Sequence, residues 1–213
     1  MSCPICEKRR PERYCPAKGE KICAVCCGRE REVTIDCPSD CSYLIAAHRY
    51  EREHRKPLGP EEFPYRDIEF SVDFVYERWP VVAGIAAAIL GFQTQDKDLN
   101  DAAIFAALEA LAETLRTLET GIYYERPPDA PLPRALYAQL GEFLREAKKQ
   151  EAARTGFSAL KDSEIFRLII FLLRLAKAET NGRPRSRAFL DFLRARFPLP
   201  AQAAKEAPRI IVP

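Results

Sequence analysis

Eight cysteines lie within the first 41 residues of this 213-residue chain, and the rest of the chain contains none. Thiolate sulfur is a preferred ligand of zinc, and a closed structural zinc site takes four ligands arranged tetrahedrally. Eight cysteines in so short a segment therefore predict two zinc ions. The candidate ligands are Cys3, Cys6, Cys15, Cys23, Cys26, Cys27, Cys37 and Cys41.

The spacing of the cysteines indicates how they divide between the two ions. Cys3–Cys6 and Cys23–Cys26 are C-x2-C pairs, in which a tight turn aims both sulfurs at one ion, and Cys37–Cys41 is a C-x3-C pair. Adjacent Cys26 and Cys27 point different ways, so we expect them to serve different ions. The preferred first site is Cys3, Cys6, Cys23 and Cys26. The preferred second site is Cys15, Cys27, Cys37 and Cys41.

Two features leave this assignment open. Cys23 could pair with Cys27 instead, which would give Cys26 to the second ion. His48 follows Cys41 by seven residues and could replace a cysteine in the second site. We prefer to interpret His48 as a solvated residue on a charged helix.

Disulfides, a redox pair and an iron–sulfur cluster are the alternatives to zinc. The start Met1-Ser2-Cys3-Pro4 lacks the apolar run of a secretion signal, which disfavours a disulfide scaffold. Nothing in the chain indicates the thioredoxin-like fold in which redox C-x2-C pairs occur. Two C-x2-C pairs and a C-x3-C pair this close together suit single ions better than an iron–sulfur cluster.

The Cys-rich segment resembles the compact cross-brace zinc fingers of the MYND and HIT-finger type. The resemblance rests on Cys3-x2-Cys6, Tyr14-Cys15-Pro16, Ile22-Cys23 with Cys26 and Cys27, and then Cys37 and Cys41. It covers about one fifth of the chain and implies two interleaved zinc ions and protein partners. The chain departs from those families because Cys15 lacks a close C-x2-C partner and the usual late His/Cys pair is missing.

Charge is distributed unevenly along the chain. Residues 1–60 carry 12 Lys/Arg and 9 Asp/Glu, and zinc-bound thiolates would make this segment slightly negative, which disfavours a nucleic-acid module. Residues 61–130 carry 5 Lys/Arg and 14 Asp/Glu, whereas residues 145–196 carry 13 and 6. We expect acidic and basic helices to pack together, with a basic face for RNA, DNA or an acidic protein as the alternative.

No segment has the length of a membrane span. Residues 79–92 are apolar for 14 residues, shorter than the roughly 20 that a spanning helix needs, so they predict a buried core helix. Without an export signal or a span, we expect a cytoplasmic protein with reduced thiols.

The body of the chain predicts an all-α fold. Four domains or segments are expected: a finger with an exit helix over 1–56, a Pro-rich linker over 57–66, a bundle of about five helices over 67–198, and a loosely ordered tail over 199–213. Within the bundle we expect an extended piece near 66–70 and then five helices. The first runs from Ser71 to Gly91, and Pro80 would kink it or start its second half. The second runs from Asn100 or Asp101 to Gly121, and the turn after it contains Pro127, Pro128, Pro131 and Pro133. The others run through Leu136, Leu140, Phe143 and Ala147 to near Gly156, from Ser163 to Asn181-Gly182, and from a Ser186 cap to Pro198.

No catalytic constellation is evident. The chain has two histidines and lacks a Gly-rich phosphate loop, a G-x-S-x-G elbow and an H-E-x-x-H motif. A closed four-thiolate site leaves no open ligand position for water, so we expect no catalytic metal and no enzyme activity.

Two segments outside the predicted core are candidates for binding. Tyr123 and Tyr124 follow a helix end beside a charge pair, and packing at the bundle edge is the alternative for them. Arg183, Arg185 and Arg187 flank Ser186 at a helix start, where arginine forks and helix N–H groups could bind an anion. Solvation and pairing with the acidic helices is the alternative for this loop.

These features predict a non-enzymatic zinc-binding adaptor that contacts another macromolecule, most simply a protein. The alternative is an RNA- or DNA-binding protein that uses the basic C-terminal helices and the Arg-rich loop. No membrane association and no small-molecule substrate are predicted.

Overall fold

The structure is a computed structural model that describes residues 2–119, 124–155 and 160–197. Gly121, Tyr123, Gly156, Pro198 and the predicted tail over 199–213 lie outside the described residues. Within the described part the chain forms eight α-helices and one two-stranded sheet, which confirms the predicted all-α class.

The N-terminal segment is a small finger with little apolar material. A hairpin pairs β1 (Arg13–Cys15) antiparallel with β2 (Glu20–Ile22), and α1 (Ala24–Glu30) and the exit helix α2 (Ser42–His54) follow. The buried centre of the finger contains four cysteines and two isoleucines: Cys3, Cys15, Ile22, Cys23, Cys26 and Ile35. So small an apolar centre cannot offset the entropy of ordering the segment, which is why such fingers fold with metal bound.

The body is a bundle of six helices. They are α3 (Val72–Glu77), α4 (Trp79–Gln95), α5 (Asp101–Glu119), α6 (Pro131–Thr155), α7 (Asp162–Glu179) and α8 (Ala188–Arg196). The predominantly apolar helix α7 is central and packs against α5 and α8, while α6 packs against α4 and α5. Within the described residues, no helix has both the length and the apolar character that crossing a bilayer would require.

One expected helix is two helices. The chain turns at Arg78, whose backbone has φ −99° and ψ 11°, so α3 ends and α4 begins there. Pro80 lies in the first turn of α4, where its missing N–H costs nothing because that group has no intrahelical partner. Gly84 allows α4 to approach α6 closely, since an added Cβ would lie 2.4 Å from Cζ of Phe143.

The structure confirms one expected helix start and corrects another. Asn100 caps α5 by accepting a hydrogen bond from the Ala103 N–H at 3.0 Å. The α6 helix begins at Pro131, so Pro131 and Pro133 belong to its first turn and not to the preceding loop.

The start of α8 is capped from another helix. The buried Asp101 carboxylate accepts the N–H groups of Phe189 and Leu190 and the Ser186 hydroxyl. Ser186 itself accepts the Ala188 N–H at 3.2 Å. Burial raises the pKa of Asp101, and its hydrogen-bond donors oppose that shift. The first turn of α5 therefore fixes the position of α8.

The segment expected to be a linker lies against the bundle. The Arg174 guanidinium, on α7, donates to the backbone carbonyls of Pro64, Tyr65 and Ile68, and it lies 5.0 Å from the centre of the Phe70 ring. Arg174 and Arg167 are the charged residues within the apolar stretch from Ile165 to Leu175, and these contacts explain the place of Arg174 there.

Candidate metal centre

Four cysteine sulfurs meet at one point in the finger. The sulfurs of Cys3, Cys6, Cys23 and Cys26 all lie within 4.8 Å of one another, and those of Cys6 and Cys23 are 3.9 Å apart. Zinc–sulfur bonds of about 2.3 Å place tetrahedral ligands about 3.8 Å apart, so this group has the dimensions of a metal site. These are the four residues that the spacing assigned to the first ion.

Local backbone geometry positions these sulfurs. Cys23 precedes α1, and its sulfur accepts the Cys26 N–H at 3.3 Å in the manner of a helix cap. The Cys23 N–H points in turn at the sulfur of Cys3, also at 3.3 Å. On the other side, the turn that carries Cys3 and Cys6 closes with the Glu7 N–H on the Cys3 carbonyl at 2.7 Å.

Three of these thiols have shifted pKa values, and the shifts do not all favour the thiolate form. The backbone N–H groups of Lys8 and Arg9 lower the pKa of Cys6 to about 6. Burial opposes ionisation of Cys3, but N–H groups beginning with that of Cys23 outweigh it and lower its pKa. Burial and the neighbouring sulfurs raise the pKa of Cys26 to about 12. A bound cation would remove this conflict, because it stabilises all four thiolates together.

The other four cysteines lie around a second, smaller space. Together they line a cavity of about 10 Å³, roughly the volume of one atom of water size. They are Cys15, Cys27, Cys37 and Cys41. Burial raises the pKa of Cys37, and Cys41 and Cys15 are among the neighbours that add to the shift. All eight cysteines are free thiols. Among the described residues, only the first group brings three or more such ligand atoms within 4.8 Å.

A buried glutamate joins the finger to the bundle. Glu32 is 1% exposed and has a left-handed backbone with φ 53°. Its carboxylate accepts hydrogen bonds from the side-chain amide of Asn181 at 2.7 Å and from the Arg187 N–H at 3.2 Å, and it pairs with His48 Nε2 at 2.9 Å. Burial opposes ionisation of Glu32, but these donors lower its pKa. A strained backbone and a satisfied buried charge mark this residue as the centre of the interface.

Arg187 forms the second half of this interface. Its guanidinium binds Asp36 of the finger, with Nη1 at 2.6 Å from Oδ1, and also the carbonyls of Leu99 and Lys97 in the bundle. The same Nη1 lies 3.5 Å from the carbonyl oxygen of Cys37. The backbone of a candidate metal ligand is therefore in direct contact with the residue that precedes α8.

The expectation that His48 is solvated is wrong. His48 is 8% exposed, and its Nδ1 lies 3.6 Å from a carboxylate oxygen of Asp191 while Nε2 faces Glu32. The charged neighbours of His48 on α2 are typical of a solvated helix. The residues that bury His48 come from elsewhere, from the α1–α2 connection and from α8. Although burial opposes protonation, hydrogen bonding to Asp191 and Glu32 raises the pKa of His48 to about 9.

Side chains of the Arg-rich loop bind carboxylates of the same chain. Arg183 pairs with Glu51 at 3.2 Å, and Arg187 and Ser186 are buried against Asp36 and Asp101. Binding of an external anion by this loop stays a prediction. Its remaining arginine, Arg185, is exposed and uses its backbone N–H to bind the Glu32 carbonyl at 2.8 Å.

The two predicted aromatic residues are only partly described. Tyr124 is 61% exposed, as expected of a residue that is free to contact a partner, while Tyr123 lies outside the described residues. Glu32, Asp36 and Asn181 were not predicted as functional residues. No spacing rule connects Glu32 to a residue 149 positions later, and a left-handed glutamate between candidate metal ligands leaves no signature in one sequence.

Comparison of the chain with models of known protein families, with curated proteins and with solved structures finds no match.

Proposed function

We propose that this protein is a zinc-dependent adaptor without enzyme activity, in which a two-zinc finger and a helical bundle together bind another protein. The observation that carries the proposal is the group of four sulfurs at Cys3, Cys6, Cys23 and Cys26. An all-thiol donor set with tetrahedral dimensions favours zinc in a structural role. Four protein ligands leave no position for water or substrate on the ion.

The second zinc ion is assigned to Cys15, Cys27, Cys37 and Cys41. The four residues surround one atom-sized cavity, and Ile22, Ile35 and Leu44 seal it. Binding would draw the sulfurs together around the ion. This assignment makes the two sites interleaved in sequence, as the resemblance to cross-brace fingers implies.

A protein partner is supported by an exposed apolar stripe on the bundle. Val72 and Tyr76, four residues apart on α3, are 70% and 72% exposed. Trp79 at the start of α4 is 41% exposed and stacks on Phe197. Residues at this spacing share one helix face. Contiguous exposed apolar side chains of this size are typical of interaction sites. The exposed acidic side chains of Asp73 and Glu77 on the same helix favour a partner that combines apolar and basic residues.

The experiment combines metal analysis with affinity capture by the full chain. Elemental analysis should give two zinc ions per chain. Capture from cell extract should retain a partner that Tyr76→Ser loses and that Tyr50→Ser keeps, since Tyr50 is similarly exposed at 62% but lies on α2. Tyr124→Ser, in the same assay, measures the contribution of the other predicted aromatic residue.

Three results would count against the proposal. A metal-free chain with an ordered finger would remove its basis. Retention of every partner by Tyr76→Ser would place the interface elsewhere. Copurified nucleic acid whose binding falls steeply with added salt would support the RNA- or DNA-binding alternative.

A further inference from the structure

The bundle contains a cavity that the adaptor function does not use. It has a volume of about 440 Å³ and lies between the second half of α5, the middle of α6 and the start of α7. That volume is within the usual range for small-molecule sites, about 300–1,000 Å³. The apolar part of its wall is formed by Leu111, Leu115, Ala138, Leu144 and Ile165.

A glycine keeps part of this cavity open. Gly141 lies inside α6 and lines the cavity, and a Cβ added there would meet no atom within 4 Å. Glycine inside a helix costs about 1 kcal/mol relative to alanine. Close helix packing explains that cost at Gly84, where Phe143 is in the way, but no neighbour explains it at Gly141. The missing side chain leaves space for a bound ligand.

Two hydroxyl groups give the cavity a defined hydrogen-bond character. Thr114 and Tyr137 are both buried, and both line it, with their oxygens 3.1 Å apart. The Thr114 hydroxyl donates its hydrogen to the Ala110 carbonyl at 2.9 Å. Its bond with Tyr137 must therefore use the tyrosine hydrogen, which leaves the tyrosine oxygen as an acceptor. A bound molecule would have to supply the donor.

The two cations on the rim, Arg145 and Lys148, are already paired. Arg145 pairs with Glu142 at 2.5 Å, and Lys148 pairs with Asp162 at 2.8 Å. Each lining cation thus has a carboxylate partner close to it. This arrangement disfavours an anionic ligand, which would have to compete with those carboxylates, and favours a neutral one.

We infer that this cavity binds a small neutral molecule with an apolar body and one hydroxyl group, an alcohol or a phenol. The apolar body lies among the leucines beside Gly141, and the ligand hydroxyl donates to the oxygen of Tyr137. This site is independent of the finger and of the α3 stripe, so it can be tested separately from the proposed function.

The test is a fluorescence titration of the zinc-loaded full chain with two matched probes. 2-Naphthol has the apolar body and the donor, whereas 2-methoxynaphthalene has the same body and no donor. One hydrogen bond is worth about 0.5–1.5 kcal/mol, so 2-naphthol should bind about 3- to 10-fold more tightly than the ether. Tyr137→Phe should bring the two affinities together.

Gly141→Leu fills the space and should weaken 2-naphthol binding by about tenfold or more. Gly91→Leu is the matched control, because Gly91 is also a helix glycine with nothing within 4 Å of an added Cβ, yet it does not line the cavity. Thermal unfolding of both variants establishes that they are folded. Equal binding by Gly141→Leu and Gly91→Leu, or an equal affinity of the wild-type chain for the two probes, would overturn the inference.

Discussion

The finger and the bundle of this protein reach a folded state by different means. The bundle buries a continuous core of more than thirty side chains across α4 to α8, with Leu108, Leu140 and Leu168 wholly inaccessible to solvent. The finger buries two isoleucines among its cysteines. Burial of apolar area can stabilise the first but not the second. We therefore expect removal of metal to unfold the finger and loss of buried apolar side chains to destabilise the bundle.

The interface between the two regions differs again from both. Its centre is polar: Glu32 and His48 on one side, Asn181 and Arg187 on the other, with Asp36 completing the Arg187 site. Such a contact depends on geometry more than on area, because each buried charge needs its partner in place. The finger is therefore positioned by a polar network that only a folded finger can present.

The largest expected effect is that of removing the metal. Apparent zinc binding contributes about 10–16 kcal/mol per structural site at neutral pH, which exceeds the stability of an ordinary domain. We expect chelation, or Cys6→Ser, to unfold residues 1–41 and leave the bundle helical. Far-UV circular dichroism and amide exchange of the two regions measure this. Ala17→Ser, at an exposed finger position, should have no effect; an intact finger after complete chelation would contradict the prediction.

The next largest effect is expected from a substitution that creates a cavity in the bundle core and leaves the finger unchanged. Leu140→Ala should lower the free energy of unfolding of the bundle by about 2–5 kcal/mol, because Leu140 is wholly buried. Zinc content per chain should not change. Chemical denaturation measures the first quantity and elemental analysis the second, with the exposed Val72→Ala as the control. A large loss of zinc in a folded Leu140→Ala protein would show that the two regions are less separate than proposed.

Removing the central arginine should have an intermediate effect on the interface. Arg187→Ala leaves Asp36 and the carbonyls of Leu99 and Lys97 without their donor. We expect a loss of about 3 kcal/mol, at the low end for a broken buried ion pair because Asp36 is partly exposed. Denaturation and amide exchange at the start of α8 measure it. Its neighbour Arg185 is exposed, so Arg185→Ala should cost less than about 0.5 kcal/mol; equal effects of the two variants would sink this account.

The smallest effect is a dependence on pH. His48 has a pKa raised to about 9, against about 6.5 in an unfolded chain. Protonated His48 therefore stabilises the folded state fully below pH 6.5, and this stabilisation is lost as the pH rises from 6.5 through 9. The lowered pKa of Glu32 keeps that carboxylate ionised throughout this window. Each pKa unit is worth about 1.4 kcal/mol, and because Asp191 is partly exposed we expect a loss of about 2 kcal/mol.

Denaturation of the zinc-loaded protein at pH 6.5 and at pH 9 provides the measurement. The comparison is between wild type and His48→Gln, so that any titration of the zinc sites cancels. The variant should lack the loss that wild type shows. His54→Gln is the control, since His54 is exposed and hydrogen bonds to the Tyr50 carbonyl. A His48→Gln protein with the same pH dependence as wild type would exclude His48 as its source.

Short-range features of this fold could be predicted from the sequence, and long-range ones could not. The first four-sulfur group follows from two C-x2-C pairs, because two intervening residues fix the sulfur directions locally. The approximate positions of α2 and α5 to α8 follow from apolar periodicity and from caps such as Asn100. The break at Arg78 was expected only as one of two possibilities, because the helical pattern of apolar residues continues across it and Pro80 permits either a kink or a new start.

The interface was missed for a different reason. His48 lies in a run of charged residues, which is typical of a solvated helix, and Asn181 with Gly182 is typical of a helix end. Both local interpretations describe the backbone correctly, as the left-handed Gly182 at φ 73° shows. What they omit is that Glu32, which lies 16 residues before His48 and 149 before Asn181, is the partner of both side chains.

If Cys37 binds a metal ion as proposed, the contact of Arg187 with Asp36 and with the Cys37 carbonyl makes the affinity for that ion a property of the whole chain. By thermodynamic reciprocity, a bound ion that stabilises the ordered loop before α8 is itself bound more tightly, by the same free energy, when that loop is ordered. A truncated finger should therefore bind an ion at the proposed second site more weakly than the intact protein does. Substitutions in the bundle that disturb residues 181–187 would then act as zinc-deficiency variants, although they touch no ligand.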